Sequence, residues 1–301
     1  MTTLNETSHL IPLTSVVFGL TYLGLALGKV PGLRIDRSGI ALVGAAVMLC
    51  LGLVSLRDAA GAVDYRTIIL LFGMMVVVAY LRLAGFFALA TERIAEQFSG
   101  PRALLAVTIG LSGALSAFLV NDVVCVALTP LVLDLTRRLK RPPIPYLVGL
   151  ATASNVGSVA TITGNPQNII IGSLSGISYL RFAARLAPIA LIGLVITYFV
   201  VAWVYRGALS TAGEVNGAEA LPVPRVHQPL LIKSVGVALF TVALFFAGQP
   251  IALVALGAAA VLMLGRVRPE KIYAAVDWPL LVMFCGLFVV VHAFEVHVVR
   301  T

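Results

Sequence analysis

The segment between residues 151 and 168 constrains the fold of this chain more than any other. It is polar and is interrupted by Gly164 and Pro166, yet apolar segments precede and follow it. Backbone and amide groups exposed to lipid have no water to bond, so irregular polar chain at membrane depth lies within protein or lines a wet cavity. Its polar side chains are those of Ser154, Asn155, Ser158, Thr161, Thr163, Asn165, Gln167 and Asn168. Such groups are costly in a membrane, and they therefore predict a binding site or a transport pathway.

The composition predicts an all-α polytopic membrane protein. Hydrophobic residues make up 60% of the 301 residues, charged residues make up 11%, and the mean hydropathy is +1.03. Because about 20 apolar residues span the core of a bilayer, the long apolar runs predict several crossing helices. The predicted spans are residues 10–28, 39–56, 67–84, 146–172, 185–205, 233–248, 250–265 and 279–298.

The charges and motifs exclude several classes of protein. The net charge is +8, but the basic residues are spread through short loops, which indicates membrane orientation and no nucleic-acid partner. Residues 1–9 hold no Lys or Arg, so the apolar run from Leu10 predicts a retained helix and not a cleaved signal peptide. Neither a Walker loop nor a zinc-protease motif occurs, so we expect no ATP-driven transport, no cofactor and no metal centre.

A second polar interruption lies within residues 103–136, at Asn121 and Asp122. The apolar arms on either side have only about 16 residues each, which is short for a full crossing. They predict a re-entrant hairpin whose polar tip faces a cavity. With the hairpin entering and leaving on one side, most basic loops fall on one face, and that asymmetry predicts a plasma-membrane protein with its N-terminus outside. These loops are residues 29–37, 91–102, 137–145, 206–232 and 266–278.

The chain also contains an internal repeat. Residues 62–73 and 275–286 align at an offset of 213, and both segments begin with Ala-Val-Asp and end with Gly. The first copy holds an odd number of predicted crossings, so we expect the second copy to run inverted through the membrane. Inverted repeats with interrupted helices are typical of secondary transporters.

The repeat predicts the domain organisation. The first repeat occupies residues 1–206, a cytoplasmic linker occupies 207–232, and 233–301 begins the second inverted repeat with scaffold helices only. The second copy stops at Thr301 before any second hairpin or broken helix, which leaves open a truncated half-transporter that needs a second chain. Within the first repeat the predicted elements are scaffold helices 10–84, the re-entrant hairpin 103–136, the broken helix 146–172 and helix 185–205.

The two interruptions carry residue types that suit ion and anion binding. Pro166 removes a backbone donor and Gly164 permits unusual dihedral angles, so this stretch breaks the helix. Freed helix ends can offer carbonyl groups to a cation or N–H groups to an anion. Asp122 lies among apolar residues, where it can bind a proton or Na⁺ or can cap the hairpin. Small polar residues can also serve close helix packing alone.

At these residues the chain resembles the ion transporter superfamily, which contains arsenite permeases, citrate and dicarboxylate transporters and some sodium–proton antiporters. Residues 118–122, 128–130 and 153–168 carry the resemblance. It implies two inverted repeats, each with a re-entrant hairpin and a broken helix, and a homodimer as a family expectation. Dicarboxylate members carry Ser-Asn-Thr at the hairpin tip, where this chain has Val-Asn-Asp, so the match leans towards arsenite-permease-like or proton-coupled members.

The resemblance implies a cation and substrate site between the hairpin and the broken helix. In such a site Na⁺ would bind at Asn121, Gly157 and Asn165, and Gly164 and Asn168 would join them. With the polar residues of both interruptions added, the candidate binding residues are Asn121, Asp122, Ser154, Asn155, Gly157, Ser158, Thr161, Thr163, Gly164, Asn165, Pro166 and Asn168.

The sequence therefore predicts a secondary transporter of a small anion or metalloid oxyanion, coupled to H⁺ or Na⁺ and working by alternating access. Its expected partners are the lipid bilayer and that substrate. Two alternatives stay open, a half-transporter without activity of its own and a sodium–proton antiporter-like member. An intramembrane enzyme is disfavoured, because it needs a nucleophile or paired acids at membrane depth, and Asp122 is the single candidate there.

Overall fold

The computed structural model describes residues 3–28, 32, 34–98, 100–210 and 226–300, and within those ranges the regular structure is helical. The helices are α1 (Thr3–Leu27), α2 (Arg37–Cys50), α3 (Leu56–Ala62), α4 (Tyr65–Leu83), α5 (Phe86–Gln97), α6 (Pro101–Phe118), α7 (Asn121–Arg138), α8 (Ile144–Ser158), α9 (Pro166–Ser175), α10 (Tyr179–Val204), α11 (Arg206–Ser210), α12 (Gln228–Phe246), α13 (Ile251–Met263), α14 (Pro269–Tyr273) and α15 (Trp278–Phe294). A π-helical turn, Glu295–Val299, continues α15. The predicted all-α class is confirmed.

In the described part of the chain, six helical segments are long and apolar enough to cross a membrane. They are Leu10–Leu27, Tyr65–Leu83, Pro101–Phe118, Tyr179–Val204, Gln228–Phe246 and Trp278–Val299. Two further apolar helices, Arg37–Cys50 and Ile251–Met263, are shorter. A chain with this many apolar helices is a polytopic membrane protein.

The predicted span 39–56 is too long at its C-terminal end. Helix α2 ends at Cys50, because Gly52 adopts a φ of 69° that a right-handed helix cannot continue. At its other end Asp36 caps the helix and accepts the backbone N–H of Gly39 at 2.8 Å. That bond, together with one from the Ser38 hydroxyl, lowers the pKa of the Asp36 carboxyl. Residues after the Gly52 turn form the separate short helix α3.

Two predicted loops contain helix. Helix α5 occupies 86–97, so the loop predicted at 91–102 is wrong over most of its length. Charged residues such as Glu92 and Arg93 suggested a loop, but the helix begins on the apolar pair Phe86 and Phe87, of which Phe87 is buried. The predicted linker 207–232 lies mostly outside the described residues, at 211–225. Its described ends belong to α11 and α12.

The described residues form two compact units. The first comprises residues up to 68 together with those from 277, and the second comprises 69–276. In the first unit α2 packs against α1 and α15, with Met48, Val290 and Ala293 in the shared core. Gly286 of α15 lies against the α2 backbone, since a Cβ there would be 2.7 Å from the carbonyl oxygen of Ala41.

The second unit contains the hairpin helices, the broken helix and the start of the second copy. Helix α8 packs against α6, α7 and α10, and α12 packs against α13. Helix α4 is buried along most of its length, and a Cβ at Gly73 would be 2.7 Å from the carbonyl oxygen of Ala255 in α13. Close backbone contact of this kind is typical of membrane helices, in which small residues allow approach.

The aligned segments of the internal repeat share local structure. Asp64 accepts the backbone N–H of Arg66 at 3.1 Å, and Asp277 accepts that of Leu280 at 3.0 Å, so each aspartate caps the helix that follows it. The glycine that ends each segment packs on the backbone of another helix. The two copies therefore agree in capping and in packing, and their inverted orientation stays a prediction.

We expect Gly73→Ala to destabilise the protein by about 1–3 kcal/mol, because its methyl group must push α4 away from the α13 backbone. Gly257→Ala is the matched control, since no atom lies within 4 Å of a Cβ at that helical position. It should be neutral, or stabilising by up to about 1 kcal/mol through helix propensity. Thermal unfolding in detergent measures both effects, and equal midpoints for the two variants would contradict the close contact.

Candidate functional site

The first helix break lies between α6 and α7, where sequence analysis placed it. Leu119 is extended, with φ −114° and ψ 146°, and α7 begins at Asn121, whose side chain is 5% exposed. The two helices pack against each other as a hairpin. Each arm has 18 residues, more than the sequence suggested, and α6 alone is long enough to cross a bilayer. The re-entrant course of the hairpin stays a prediction.

The second break separates α8, which ends at Ser158, from α9, which begins at Pro166. Asn165 caps α9, and its side-chain oxygen accepts the backbone N–H of Asn168 at 2.8 Å. Pro166 occupies the first helical position, where the missing N–H costs no hydrogen bond. A Cβ at Gly164 would lie 2.0 Å from the carbonyl oxygen of Ser158, so this position requires glycine.

The Asn168 side chain holds the broken ends together. Its amide nitrogen lies 3.2 Å from the carbonyl oxygen of Ser158, 3.3 Å from that of Val159 and 2.9 Å from that of Thr161. The amide of Asn165 also donates to the Ser158 hydroxyl, at 3.0 Å. Carbonyl groups at the end of a helix have no partner within it. Asn168 supplies that partner, so its amide nitrogen stabilises the break.

The hairpin and the broken helix are joined by hydrogen bonds at the hairpin tip. The backbone N–H of Asn121 donates to the carbonyl oxygen of Gly164 at 3.0 Å, and the Ser154 hydroxyl donates to the carbonyl oxygen of Asn121 at 2.9 Å. The Asn121 amide donates to the Asn155 side-chain oxygen at 3.0 Å. Ser116 of α6 completes the set with a 2.9 Å contact between its hydroxyl and that of Ser154.

A second set of bonds joins the segment between α8 and α9 to the end of α6. The Thr161 hydroxyl donates to the carbonyl oxygen of Ala117, and Thr163 bonds the Tyr179 hydroxyl at 2.8 Å. Tyr179 is 3% exposed and its ring lies 5.0 Å from that of Phe246 in α12. The broken segment is thus fixed to α6 on one side and to α10 on the other.

Two glycines bring α6 and α8 into backbone contact. A Cβ at Gly157 would lie 2.2 Å from the carbonyl oxygen of Gly113, a distance at which no side chain fits. Gly157 was predicted to provide a Na⁺ ligand, and the contact shows a packing role for it.

One atom in this cluster lacks a partner. The side-chain oxygen of Asn121 is buried and makes no hydrogen bond within the described structure. Among the predicted binding residues no other buried side-chain atom is in this state. An unsatisfied buried acceptor costs about 1–3 kcal/mol, so it calls for an ion, a water or a ligand. This oxygen belongs to the hairpin-tip residue whose backbone N–H bonds the carbonyl oxygen of Gly164.

The structure brings ten of the predicted residues into one buried cluster, and two remain exposed. Asp122 is exposed in the first turn of α7, where the helix dipole stabilises a carboxylate. Asn155 is exposed and accepts from Asn121. The buried residues are Asn121, Ser154, Gly157, Ser158, Thr161, Thr163, Gly164, Asn165, Pro166 and Asn168.

Two residues that the sequence did not indicate, Ser116 of α6 and Tyr179 of α10, also contact the cluster. Ser116 belongs to a stripe of small buried residues with Ser112, Gly113 and Ala117. Small residues at this spacing lie on one face of a helix, and they could have indicated a close contact with another helix. Tyr179 follows the Ser178 cap of α10 and has no local signal that predicts its bond to Thr163.

Helices able to cross a membrane, together with two helix breaks joined by polar contacts, define a polytopic membrane protein. The chain belongs to the Citrate transporter family, which its residues 22–297 match. The predicted membership of the ion transporter superfamily is confirmed, and the description of the family names transporters.

Several curated relatives match over part of their length. The chain is 37% identical over 191 residues to the silicon efflux transporter LSI3 of Oryza sativa subsp. japonica, covering 64% of the chain and 39% of that protein. It is 31% identical over 278 residues to the 46 kDa membrane protein of Mycobacterium leprae, covering 86% and 64%. It is 31% identical over 232 residues to the inner membrane protein YbiR of Escherichia coli, covering 77% and 60%. The chain thus spans less than two thirds of each of these relatives.

We expect Asn168→Asp to destabilise the protein by at least about 2 kcal/mol, because a carboxylate cannot donate to the three carbonyl oxygens that surround it. Gln167→Glu makes the same change of amide to carboxylate at the exposed neighbouring position and should have little effect. Thermal unfolding of both variants in detergent measures the difference. A normal melting temperature for Asn168→Asp would show that its amide does not hold the break.

Proposed function

We propose that the hairpin α6–α7 and the broken helix α8–α9 bind a small anion or metalloid oxyanion together with a coupling cation, H⁺ or Na⁺, in a secondary transporter. Family membership supports transport, since the family is described as Citrate transporter and one relative is named a silicon efflux transporter. The single observation that carries the site is the buried Asn121 side-chain oxygen without a partner, at the junction of two helix breaks.

The chemistry of this junction suits a cation. Neutral oxygens of amides and of unwound backbone coordinate Na⁺ in broken-helix transporters. Asn121 presents such an oxygen, and the backbone N–H of the same residue bonds the carbonyl group of Gly164. Among the other amides predicted to bind, the Asn165 oxygen already accepts the backbone N–H of Asn168, and the Asn155 oxygen already accepts the Asn121 amide. We therefore assign the cation to the Asn121 side of the cluster.

The same junction suits an anion beside the cation. Helices α7 and α9 both begin here, at Asn121 and Pro166, and their N-terminal ends carry partial positive charge. An oxyanion held between two helix N-termini and a bound cation needs no basic side chain. This accounts for a site in which every buried candidate residue is uncharged.

Alternating access requires that the binding elements move together. The bonds from Ser154, Thr161 and Thr163 to the end of α6 and to Asn121 support movement of the hairpin and broken helix as one body. We propose that this body, residues 103–172, moves against the scaffold helices. We further propose that the protein lies in the plasma membrane with its N-terminus outside and that it forms a homodimer.

Asn121→Ala should lower substrate flux at least tenfold, which corresponds to about 1.4 kcal/mol of lost binding. The measurement is uptake of citrate, arsenite and silicic acid into proteoliposomes under a Na⁺ or a pH gradient. Thr129→Ala in the same helix is the control, because its hydroxyl bonds only the preceding turn, at the carbonyl oxygen of Cys125, 2.7 Å away. Equal flux in the two variants would remove Asn121 from the site.

Asp122→Asn tests the coupling ion. If Asp122 carries the proton, flux driven by a pH gradient should be lost, because an amide does not titrate. Asp134→Asn removes the same charge from α7 at an exposed position that faces Arg137 at 3.8 Å, and it should leave flux unchanged. Flux that still follows the pH gradient in Asp122→Asn would exclude this carboxylate, and flux that follows Na⁺ alone would identify Na⁺ as the coupling ion.

A further inference from the structure

A basic pocket lies in the second unit, where α4 and α13 end and α12 begins. Its volume is about 570 Å³. The residue before α12 is joined to the residue after α4 by a bond from the backbone N–H of His227 to the carbonyl oxygen of Ala84, at 3.3 Å. None of the candidate binding residues of the hairpin or the broken helix lines it. The pocket is therefore separate from the proposed transport site.

Four basic side chains surround this pocket. They are those of Lys233, Arg266, Arg268 and Lys271, and no carboxylate lines it among the described residues. Arg266, Arg268 and Lys271 are exposed and pair with no carboxylate in the described ranges. Unneutralised positive charges held around one cavity create a potential that attracts an anion.

Lys233 fixes one of these charges in place. Its ammonium nitrogen lies 2.7 Å from the carbonyl oxygen of Leu264 and 3.3 Å from that of Leu262, at the end of α13. An ammonium group has three donors, so one remains for a ligand. The side chain is half-buried, which holds the charge at the wall of the pocket.

The remaining wall is mainly apolar and lies at the ends of two candidate membrane spans. Leu83, Leu230, Leu262 and Leu264 line the pocket, and Leu264 is 79% exposed. Leu83 ends one candidate membrane span and Gln228 begins another. Leu262 is already buried, but a small soluble anion would leave Leu83 and Leu264 exposed to water, whereas a lipid would cover them with its glycerol and first acyl carbons.

We propose that this pocket binds the phosphate group of an anionic phospholipid. Arg266 and Arg268 contact the phosphate oxygens, since guanidinium groups match them in a bidentate manner. Lys233 adds a charge from the side of α12, and the leucines contact the apolar part of the lipid. Basic pockets at the ends of membrane helices bind anionic headgroups by this combination.

The test compares lipid binding to the purified protein in detergent, with phosphatidylglycerol and phosphatidylcholine as probes and native mass spectrometry as readout. We expect at least a tenfold preference for phosphatidylglycerol. Arg266→Gln with Arg268→Gln should abolish that preference. Arg102→Gln with Arg206→Gln removes the same charge from exposed positions outside the pocket and should retain it. Equal preference in the two double variants would overturn the proposal.

A second comparison separates a lipid from a free phosphate ion. Leu264→Asn changes an exposed side chain and leaves all four charges, so the protein should fold normally. It should weaken phosphatidylglycerol binding several-fold and leave the binding of inorganic phosphate unchanged. If millimolar inorganic phosphate displaces the lipid completely and Leu264→Asn has no effect, the pocket is a soluble-anion site and the lipid proposal is wrong.

Discussion

The rest of the structure depends on one constraint, the pairing of backbone groups where a helix stops inside an apolar environment. Water that would satisfy these groups elsewhere is absent there. Helix α8 ends at Ser158, and its last carbonyl groups are bound by the amide of Asn168 from the start of α9. The break is therefore closed by a side chain from its far end. This closure frees the segment between α8 and α9 to reach α6 and α10.

The hairpin and the broken helix complete each other in the same way. The first N–H of α7, that of Asn121, has no partner within its own helix, and the carbonyl group of Gly164 accepts it. In return the broken segment places threonine hydroxyls on carbonyl groups at the end of α6. After these exchanges one buried acceptor of the cluster is left over, on Asn121. The polar groups thus divide into many that hold the fold and few that can hold a ligand.

The positions of both breaks could be predicted from sequence, because Pro166 and the Asn121-Asp122 pair interrupt apolar runs. The sequence could not show which amides bond the protein itself and which leaves an oxygen free for a ligand. Asn165 and Asn168 have the composition of ligands, but the Ser158 hydroxyl that Asn165 binds and the carbonyl groups that Asn168 binds lie 7 to 10 residues away and come near only in the folded turn. Ser116 and Ser154 are separated by 38 residues, beyond any local pattern. The loop predicted at 91–102 was wrong because it was assigned from its charged residues, whereas helix α5 begins earlier, at the apolar residues Phe86 and Phe87.

The contact between Gly113 and Gly157 has a consequence for leakage. A transporter that is driven by an ion gradient must prevent the ion from crossing without substrate. Water occupies a space of about 1.4 Å radius, and the backbones of α6 and α8 are too close at these glycines even for a methyl group. No water molecule fits between the two backbones at this contact, so protons cannot pass through it along a chain of water molecules. The two glycines thus close this contact between α6 and α8 to water.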